Sequence, residues 1–458
     1  MKTDTIAAIA TALSNSGLSI IRISGEDAFT IIDKIYTSKS GNKKLSNQES
    51  HTIHYGFIKD GEIIIDEVMV VVMHAPRTYT CENVIEINCH GGVLVTNKIL
   101  ETVIKHGARI AEPGEFTKRA FLNGRIDLSK AEAVIDVIHA KNEYALASSV
   151  KHLKGEMSDA VIKIRDIIIY DIAYIEAALD DPEHIDINDY MSTLEKNICE
   201  SIKKIQKLLD TADNGRIITE GIQTVILGKP NAGKSSLLNR LVKQERAIVT
   251  DIAGTTRDAL HESININGLQ LNIVDTAGIR DTENIVEQIG VQKAVEYASE
   301  ADLILYVIDG STNLDENDLK IIDTIKDKKF IVLINKSDLD MKVSIDMIIE
   351  LTNSDPIVIS AKTTEGLDRL EANLLDMFIA GKVSFNDEVY VTNMRHKAAL
   401  IESLESLKQV KDSIEAGMPE DFLSIDLMNA YAKLGEIVGE EVDEDLVNTI
   451  FKKFCMGK

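Results

Sequence analysis

At 458 residues the chain exceeds one ordinary hydrophobic core, and its length points to roughly three domains. Its 50 Lys and Arg against 74 Asp and Glu give a formal net charge of −24, which argues against broad capture of a phosphate backbone and leaves room for a small basic pocket or a basic partner. A 44% hydrophobic content with 6 prolines excludes a disordered chain, and no apolar run approaches the roughly 18 residues needed to span a bilayer.

The first apolar stretch, residues 6–13, has a weak basic flank and no small-residue cleavage site, so it does not read as a signal peptide. Cys81, Cys89, Cys199 and Cys455 lie far apart without a C-x-x-C pair, which fits a reducing cytoplasm. Residues 1–118 read as a mixed α and β domain. Its β-branched runs at 52–58 and 63–73 predict a hairpin turning at Lys59-Asp60-Gly61-Glu62. A further strand at 84–89 leads through a turn at His90-Gly91-Gly92 into a helix that stops near Gly107. Residues 119–218 read as helical, with Val161, Ile164, Ile168, Ile172, Ile175 and Leu179 drawing one apolar stripe. Over 219–378 short β runs at 224–227, 271–274, 303–308, 331–334 and 357–359 alternate with helical runs, which predicts βα units and a mostly parallel sheet. The helical period returns over 379–458, with Leu400, Leu404, Leu407, Val410 and Ile414, then Leu427, Tyr431, Leu434 and Val438. The simplest architecture is an α/β domain between two helical segments.

Chemistry concentrates in the α/β stretch. Gly228-Lys229-Pro230-Asn231-Ala232-Gly233-Lys234-Ser235 is a complete G-x-x-x-x-G-K-S loop between an expected strand and a helix beginning at Ser236. Its glycines let backbone N–H groups wrap phosphates, Lys234 meets the β and γ oxygens, and the Ser235 hydroxyl is placed for Mg²⁺. Asp275-Thr276-Ala277-Gly278 follows the strand at 271–274, where an acid holds Mg²⁺ through water and a glycine N–H senses the γ-phosphate. Thr255 and Thr256 fall where a switch segment supplies a second Mg²⁺ hydroxyl, assigned to Thr256. Asn335-Lys336-Ser337-Asp338 follows the next strand but one, and its Asp carboxylate suits the two N–H groups of guanine. Ser360-Ala361-Lys362 completes the base pocket. Together, in this order, the motifs predict a GTP site. Many GTPases place a water-orienting Gln directly after D-x-x-G. Here that position is Ile279, leaving Asp281 and Glu287 as acidic candidates, while Arg257 and Arg280 could neutralise charge.

The chain resembles the tRNA-modifying GTPase family MnmE, also called TrmE, along nearly its whole length. The resemblance rests on Ile20-Ile21-Arg22-Ile23-Ser24-Gly25, on His90-Gly91-Gly92, and on Pro113-Gly114-Glu115-Phe116-Thr117-Lys118-Arg119-Ala120-Phe121-Leu122-Asn123. It extends to Ile248-Val249-Thr250-Asp251-Ile252-Ala253-Gly254-Thr255-Thr256-Arg257-Asp258 and to the tail Phe454-Cys455-Met456-Gly457-Lys458. It implies an α/β P-loop GTPase domain inserted in a helical domain, preceded by an α+β tetrahydrofolate-binding-like N-terminal domain.

The same resemblance implies a K⁺ ion at Asn231, Thr250, Ile252 and Thr255, a nucleotide site that includes Asp251, Ala253 and Gly254, and water positioning by Glu287. Asn231 and Glu287 are thus the expected catalytic residues. Arg22, Glu86, Arg125 and Lys458 are expected at a site for a tetrahydrofolate derivative, in its 5-formyl or methylene form. Taken by itself, Glu86 interrupts an apolar strand and asks for a partner. The implied partners are a second copy of the chain, the flavoprotein MnmG in a heterotetramer-type complex, and tRNA mainly through that complex, with no membrane. The implied outcome is a carboxymethylaminomethyl or aminomethyl group at C5 of the wobble uridine. A ribosome-assembly GTPase would instead predict a basic RNA-binding module, and a folate-dependent methyltransferase would predict a one-carbon product from this chain alone. Cys455 is left without a role.

Overall fold

The computed structural model describes residues 4–41, 43–181, 183–185, 190–244, 261–274, 301–378, 389–440, 442–454 and 457. In chain order the elements begin with β1 (Ile6–Ile9), β2 (Ser16–Ser24), α1 (Ala28–Ile35), β3 (Tyr36–Thr37), β4 (Thr52–Asp60), β5 (Ile63–Met73), β6 (Val84–Gly91), α2 (Val93–Lys105) and β7 (Arg109–Ile110). Helices α3 (Glu115–Leu122), α4 (Leu128–His139), α5 (Glu143–Lys154), α6 (Glu156–Asp180), α7 (Met191–Asp210) and α8 (Ala212–Glu220) follow. Next come β8 (Ile222–Leu227), α9 (Lys234–Gln244), β9 (His261–Ile266), β10 (Leu269–Val274), β11 (Leu303–Asp309), α10 (Glu316–Ile325), β12 (Phe330–Asn335), α11 (Ile345–Thr352), β13 (Ile357–Val358) and α12 (Leu367–Phe378). Helices α13 (Met394–Glu415), α14 (Glu420–Val438) and α15 (Glu444–Phe451) close the order. These residues fall into two units, one of residues 1–138, 150–204 and 399–458 and the other of residues 139–149 and 205–398.

In the first unit a seven-stranded sheet runs β3-β4-β5-β6-β2-β1-β7. Its alternation follows the two-residue period of a strand. Ile85, Ile87 and Cys89 of β6, with Val68, Val70 and Val72 of β5, face a core shared with Ile31, Ile32 and Ile35 of α1 and Ile99 and Val103 of α2. The opposite face leaves Ile53, Tyr55 and Met69 exposed. Register sets Arg22 of β2 opposite Glu86 of β6. In α6 the stripe Val161, Ile164, Ile168, Ile172 and Ile175 is buried, whereas Leu179, in the last turn, is 41% exposed.

The Pro113-to-Asn123 block is a docking platform for the end of the chain. Gly114 has φ +69, and a Cβ there would lie 2.6 Å from the Phe451 carbonyl oxygen, so only glycine lets α15 sit this close. Lys118 donates to Asn448 at 2.6 Å. Arg119, 6% exposed, is compensated by Glu82 at 3.1 Å and Glu115 at 3.0 Å, as a buried cation must be. Phe451 and Phe454 then pack with Leu128, Ala131 and Val447.

In the second unit the sheet runs β13-β12-β11-β8-β10-β9. All its pairings are parallel except β9 with β10. Residues 303–308 of β11 are buried without alternation, the pattern of a parallel strand covered on both faces. Apolar clusters occupy each side, one with Leu237, Leu241, Leu370 and Leu374 from α9 and α12, the other with Ile322, Ile325 and Ile348 from α10 and α11. The β9–β10 hairpin lies outside the sequence expectation. Asn267 and Gly268 both take positive φ in its turn, at 50° and 89°.

On α4, the Asp136 carboxyl is pushed up to about 6 by burial and by Glu132 one turn before it. An unfolded Asp ionises near about 3.9, so between that pH and about 6 the native state keeps a proton that the unfolded chain releases. This contribution is fully present below the unfolded value and is lost as pH rises through about 6. Asp136→Asn is therefore expected to stabilise the protein at pH 7, by on the order of 1–2 kcal/mol relative to its effect at pH 4. Urea denaturation of both chains at the two pH values checks this, and an equal effect at both would refute it.

Candidate functional site

The motif loops of the second unit emerge from the carboxyl ends of β8, β12 and β13, where parallel sheets leave room for a ligand. Gly228 takes φ +147, and a Cβ there would fall 2.2 Å from the Val307 carbonyl oxygen. Gly233 takes φ +97, and its Cβ would fall 2.1 Å from Asn335 Nδ2. Both glycines are thus required by close approach and by backbone shape. Asn231 is exposed at φ +64, Ala232 is buried, and Lys234 opens α9 with Nζ donating to the carbonyls of Gly228 at 2.7 Å and Lys229 at 2.9 Å. Ser235 and Ser236 are exposed in the first turn of α9, where backbone N–H groups and the helix dipole favour an anion.

Asn335 joins this loop to the base loop. It is 2% exposed, its Nδ2 donates to the Ala232 carbonyl at 2.8 Å, and its Oδ1 accepts the Ala361 N–H at 3.0 Å. Lys336, at φ +69, reaches Asp309 Oδ2 at 2.6 Å, and the Ser337 N–H donates to the Ile359 carbonyl at 3.1 Å. Burial opposes ionisation of Asp309, but Lys336 and Ser311 outweigh it and hold the carboxyl below its ordinary value. Asp338 is exposed, and its Oδ1 accepts the hydroxyl of buried Ser360 at 2.7 Å. That hydroxyl, with Lys362 at 3.9 Å from Oδ2, lowers the Asp338 carboxyl and keeps it an acceptor. Two residues unmarked by any motif complete the frame. Asp309 holds Lys336, and Arg240 of α9 donates to the carbonyls of Ala361 at 3.2 Å and Lys362 at 2.9 Å. Neither carries a sequence signal, since each acts from a different element on a motif backbone or side chain.

In the first unit, Arg22 Nε donates to Glu86 Oε1 at 2.8 Å, and its Nη1 donates to the Gly457 carbonyl at 3.2 Å. The guanidinium also lies 5.6 Å from the centroid of buried Phe116, within cation–π range. Gly457 takes φ +87, and a Cβ there would stand 2.4 Å from the Ile9 carbonyl oxygen. Glu86 thus has the partner that its position in an apolar strand demands. Arg125 stacks on Tyr79 instead, 4.8 Å from the ring centroid, and donates to the Tyr79 carbonyl. It shares with His51, Met73, Arg77, Tyr79 and Cys81 the lining of an open cavity of about 390 Å³.

Thr250, Asp251, Ile252, Ala253, Gly254, Thr255, Thr256, Asp275, Thr276, Ala277, Gly278, Glu287, Cys455 and Lys458 lie outside the described residues, as do Arg257, Ile279, Arg280 and Asp281. Among the described residues no cluster of His, Cys, Asp and Glu forms a metal site, and no helix is long and apolar enough to cross a membrane.

Residues 5–125 match the family model of the GTP-binding protein TrmE N-terminus, and residues 128–455 match that of the MnmE helical domain. The latter range encloses the parallel sheet, so the P-loop domain is an insertion within the helical domain. The tRNA modification GTPase MnmE of Lachnoclostridium phytofermentans is 62% identical over 458 residues, covering 100% of both chains. Its namesake in Enterococcus faecalis is 46% identical over 462 residues, covering 100% of this chain and 99% of the relative. That of Alkaliphilus oremlandii is 49% identical over 462 residues, covering 99% of each.

Asn335→Ala removes both bonds between the phosphate and base loops. It is expected to weaken GDP and GTP binding by about 10- to 100-fold, the equivalent of two buried hydrogen bonds. Titration calorimetry checks this, and wild-type affinity in the variant would show that the amide does not organise the pocket.

Proposed function

The chain belongs to the MnmE family of tRNA modification GTPases, and on that premise we propose a fuller account of what its sites do. It is a GTP hydrolase acting in tRNA modification. In the proposed reading its hydrolysis depends on K⁺ and Mg²⁺ and on dimer closure. With the flavoprotein MnmG, in a heterotetramer-type complex that holds most of the tRNA, it drives addition of a carboxymethylaminomethyl or aminomethyl group at C5 of the wobble uridine. The observation that carries the nucleotide part is the buried Asn335 amide, which holds phosphate loop and base loop in one frame.

Within that frame Lys234 serves the β- and γ-phosphates, and Asp338, oriented by Ser360, accepts the N–H groups of guanine. The exposed Ser235 hydroxyl is an oxygen donor of the type a hard cation takes, with Thr256 as its companion. Exposed Asn231 offers its amide oxygen for K⁺, with Thr250, Ile252 and Thr255 as the other proposed ligands. When bound, the two cations offset negative charge on the phosphates. Glu287 orients the attacking water, the task that Ile279 cannot perform.

Arg22 and Glu86 set a donor and an acceptor side by side, which supports recognition of a pterin's polar edge. Arg125, with Arg77 lining the same cavity, suits a carboxylate tail, and Lys458 is proposed to complete the set. The bound tetrahydrofolate derivative, 5-formyl or methylene, supplies the one-carbon unit. The exposed apolar sheet face bearing Ile53, Tyr55 and Met69 supports a homodimer through the N-terminal domain. Free Cys81, Cys89 and Cys199 accord with the cytoplasm.

GTP turnover is expected to be high in KCl and at least about tenfold lower in NaCl at matched ionic strength, with Asn231→Ala slow in both. Equal rates in the two salts would leave the GTP site standing and remove the K⁺ mechanism. Unchanged wobble-uridine modification in cells lacking the protein would overturn the wider reading.

A further inference from the structure

The phosphate loop is clamped at both ends by the protein itself. At one end Ala232 and Gly233 rest on Asn335. At the other, Gly228 lies against Val307, and the next residue sends its side chain to the start of α10. There Lys229 Nζ stands 2.9 Å from Asp315 Oδ2 and 2.7 Å from Asp318 Oδ2. Asp315 is the N-cap of α10, accepting the N–H groups of Asn317 and Asp318 in a capping box. Asp318 is 1% exposed and also accepts the hydroxyl of buried Tyr306 at 2.9 Å and the Asp315 N–H at 3.1 Å. Burial opposes the charge on Lys229, but the two carboxylates outweigh it and keep the ammonium protonated.

The backbone of Lys229 belongs to the loop. Its carbonyl accepts Lys234 Nζ at 2.9 Å and the Ala232 N–H at 3.3 Å. One residue therefore connects a buried carboxylate in α10 to the carbonyl on which the phosphate-facing lysine rests. Asp318 cannot move into water, and Lys229 has a side chain long enough to bridge but anchored at both ends.

We propose that Lys229, Asp315 and Asp318 form a strut that sets the shape of the phosphate loop, so that Lys229 and Asp318 are positioning residues of the GTP site. This rests on the reading of residues 228–235 as the phosphate cradle and names the groups that act on it through its backbone. The strut should matter for binding the β-phosphate and little for the chemical step once GTP is bound.

The test compares Lys229→Met, Lys229→Arg and Asp315→Asn in the full chain, measuring GDP affinity, kcat and KM for GTP, and hydrogen exchange of the loop amides. Lys229→Met is expected to raise KM and the GDP Kd about tenfold, leave kcat within about twofold, and speed exchange across the loop. Lys229→Arg, which keeps the charge and reach, restores both constants, and Asp315→Asn, which leaves buried Asp318 paired with Lys229, shows a smaller rise of about threefold. Wild-type KM and exchange in Lys229→Met would overturn the strut. So would a fall in kcat alone that matches a loss of folded protein. A Lys234→Ala chain with unchanged GDP affinity would instead overturn the cradle reading beneath it.

Discussion

One buried amide organises the nucleotide frame. Asn335 ends the interior parallel strand β12, and both of its polar atoms are used, the nitrogen on the phosphate loop and the oxygen on the base loop. A carboxylate at this place would lack the donor, and a hydrophobic residue would leave a buried carbonyl and a buried N–H without partners. Gly233 must be glycine because Asn335 lies where a Cβ would go. Loops that belong to β8, β12 and β13 are thereby tied to one another, and Arg240 adds a tie from α9 to the same base loop. In the proposed reading, guanine recognition at Asp338 and phosphate recognition at Lys234 are thus held in relation by a group that need touch neither base nor phosphate.

The first unit solves a comparable problem with the two ends of the chain. Gly114 admits α15 against α3, Lys118 and Arg119 secure the platform by a hydrogen bond and buried ion pairs, and the aromatic rings of Phe451 and Phe454 fill the contact. Once α15 is seated, Gly457 arrives against β1, and its carbonyl meets Arg22. The Arg22–Glu86 pair is therefore more than a cross-strand ion pair on an open sheet face. It is where the sheet register and the C-terminal tail converge, bringing residues more than four hundred positions apart within hydrogen-bond distance.

Much of this was legible beforehand because the cues are local. Strand positions in the α/β stretch follow from short apolar runs, and the motif loops from glycine spacing after a strand. Asn267-Gly268 between alternating residues is an equally local hairpin signal, although the antiparallel β9 it pairs with β10 departs from the βα rhythm of the rest of the sheet. Other features had no local cue. Arg125 stacks on Tyr79, and Asp309, Arg240 and Lys229 act on motif residues from elements far away in the chain. Lys229 is the clearest example, since it occupies a variable position of the G-x-x-x-x-G-K-S pattern and its partners are nearly ninety residues on.

By itself, then, the amino-acid sequence determined the succession of domains and the presence of a guanine-nucleotide loop set, because backbone propensity, hydrophobic period and glycine placement are properties of neighbouring residues, and its matching segments carried the family resemblance. The tertiary structure decided which side chains answer one another. It paired Glu86 with Arg22, put the Gly457 carbonyl on the same guanidinium, and suspended the phosphate loop between Asn335 and the α10 aspartates. Those pairings depend on sheet order and strand register, which bring distant residues within the few ångströms that a hydrogen bond or buried ion pair requires.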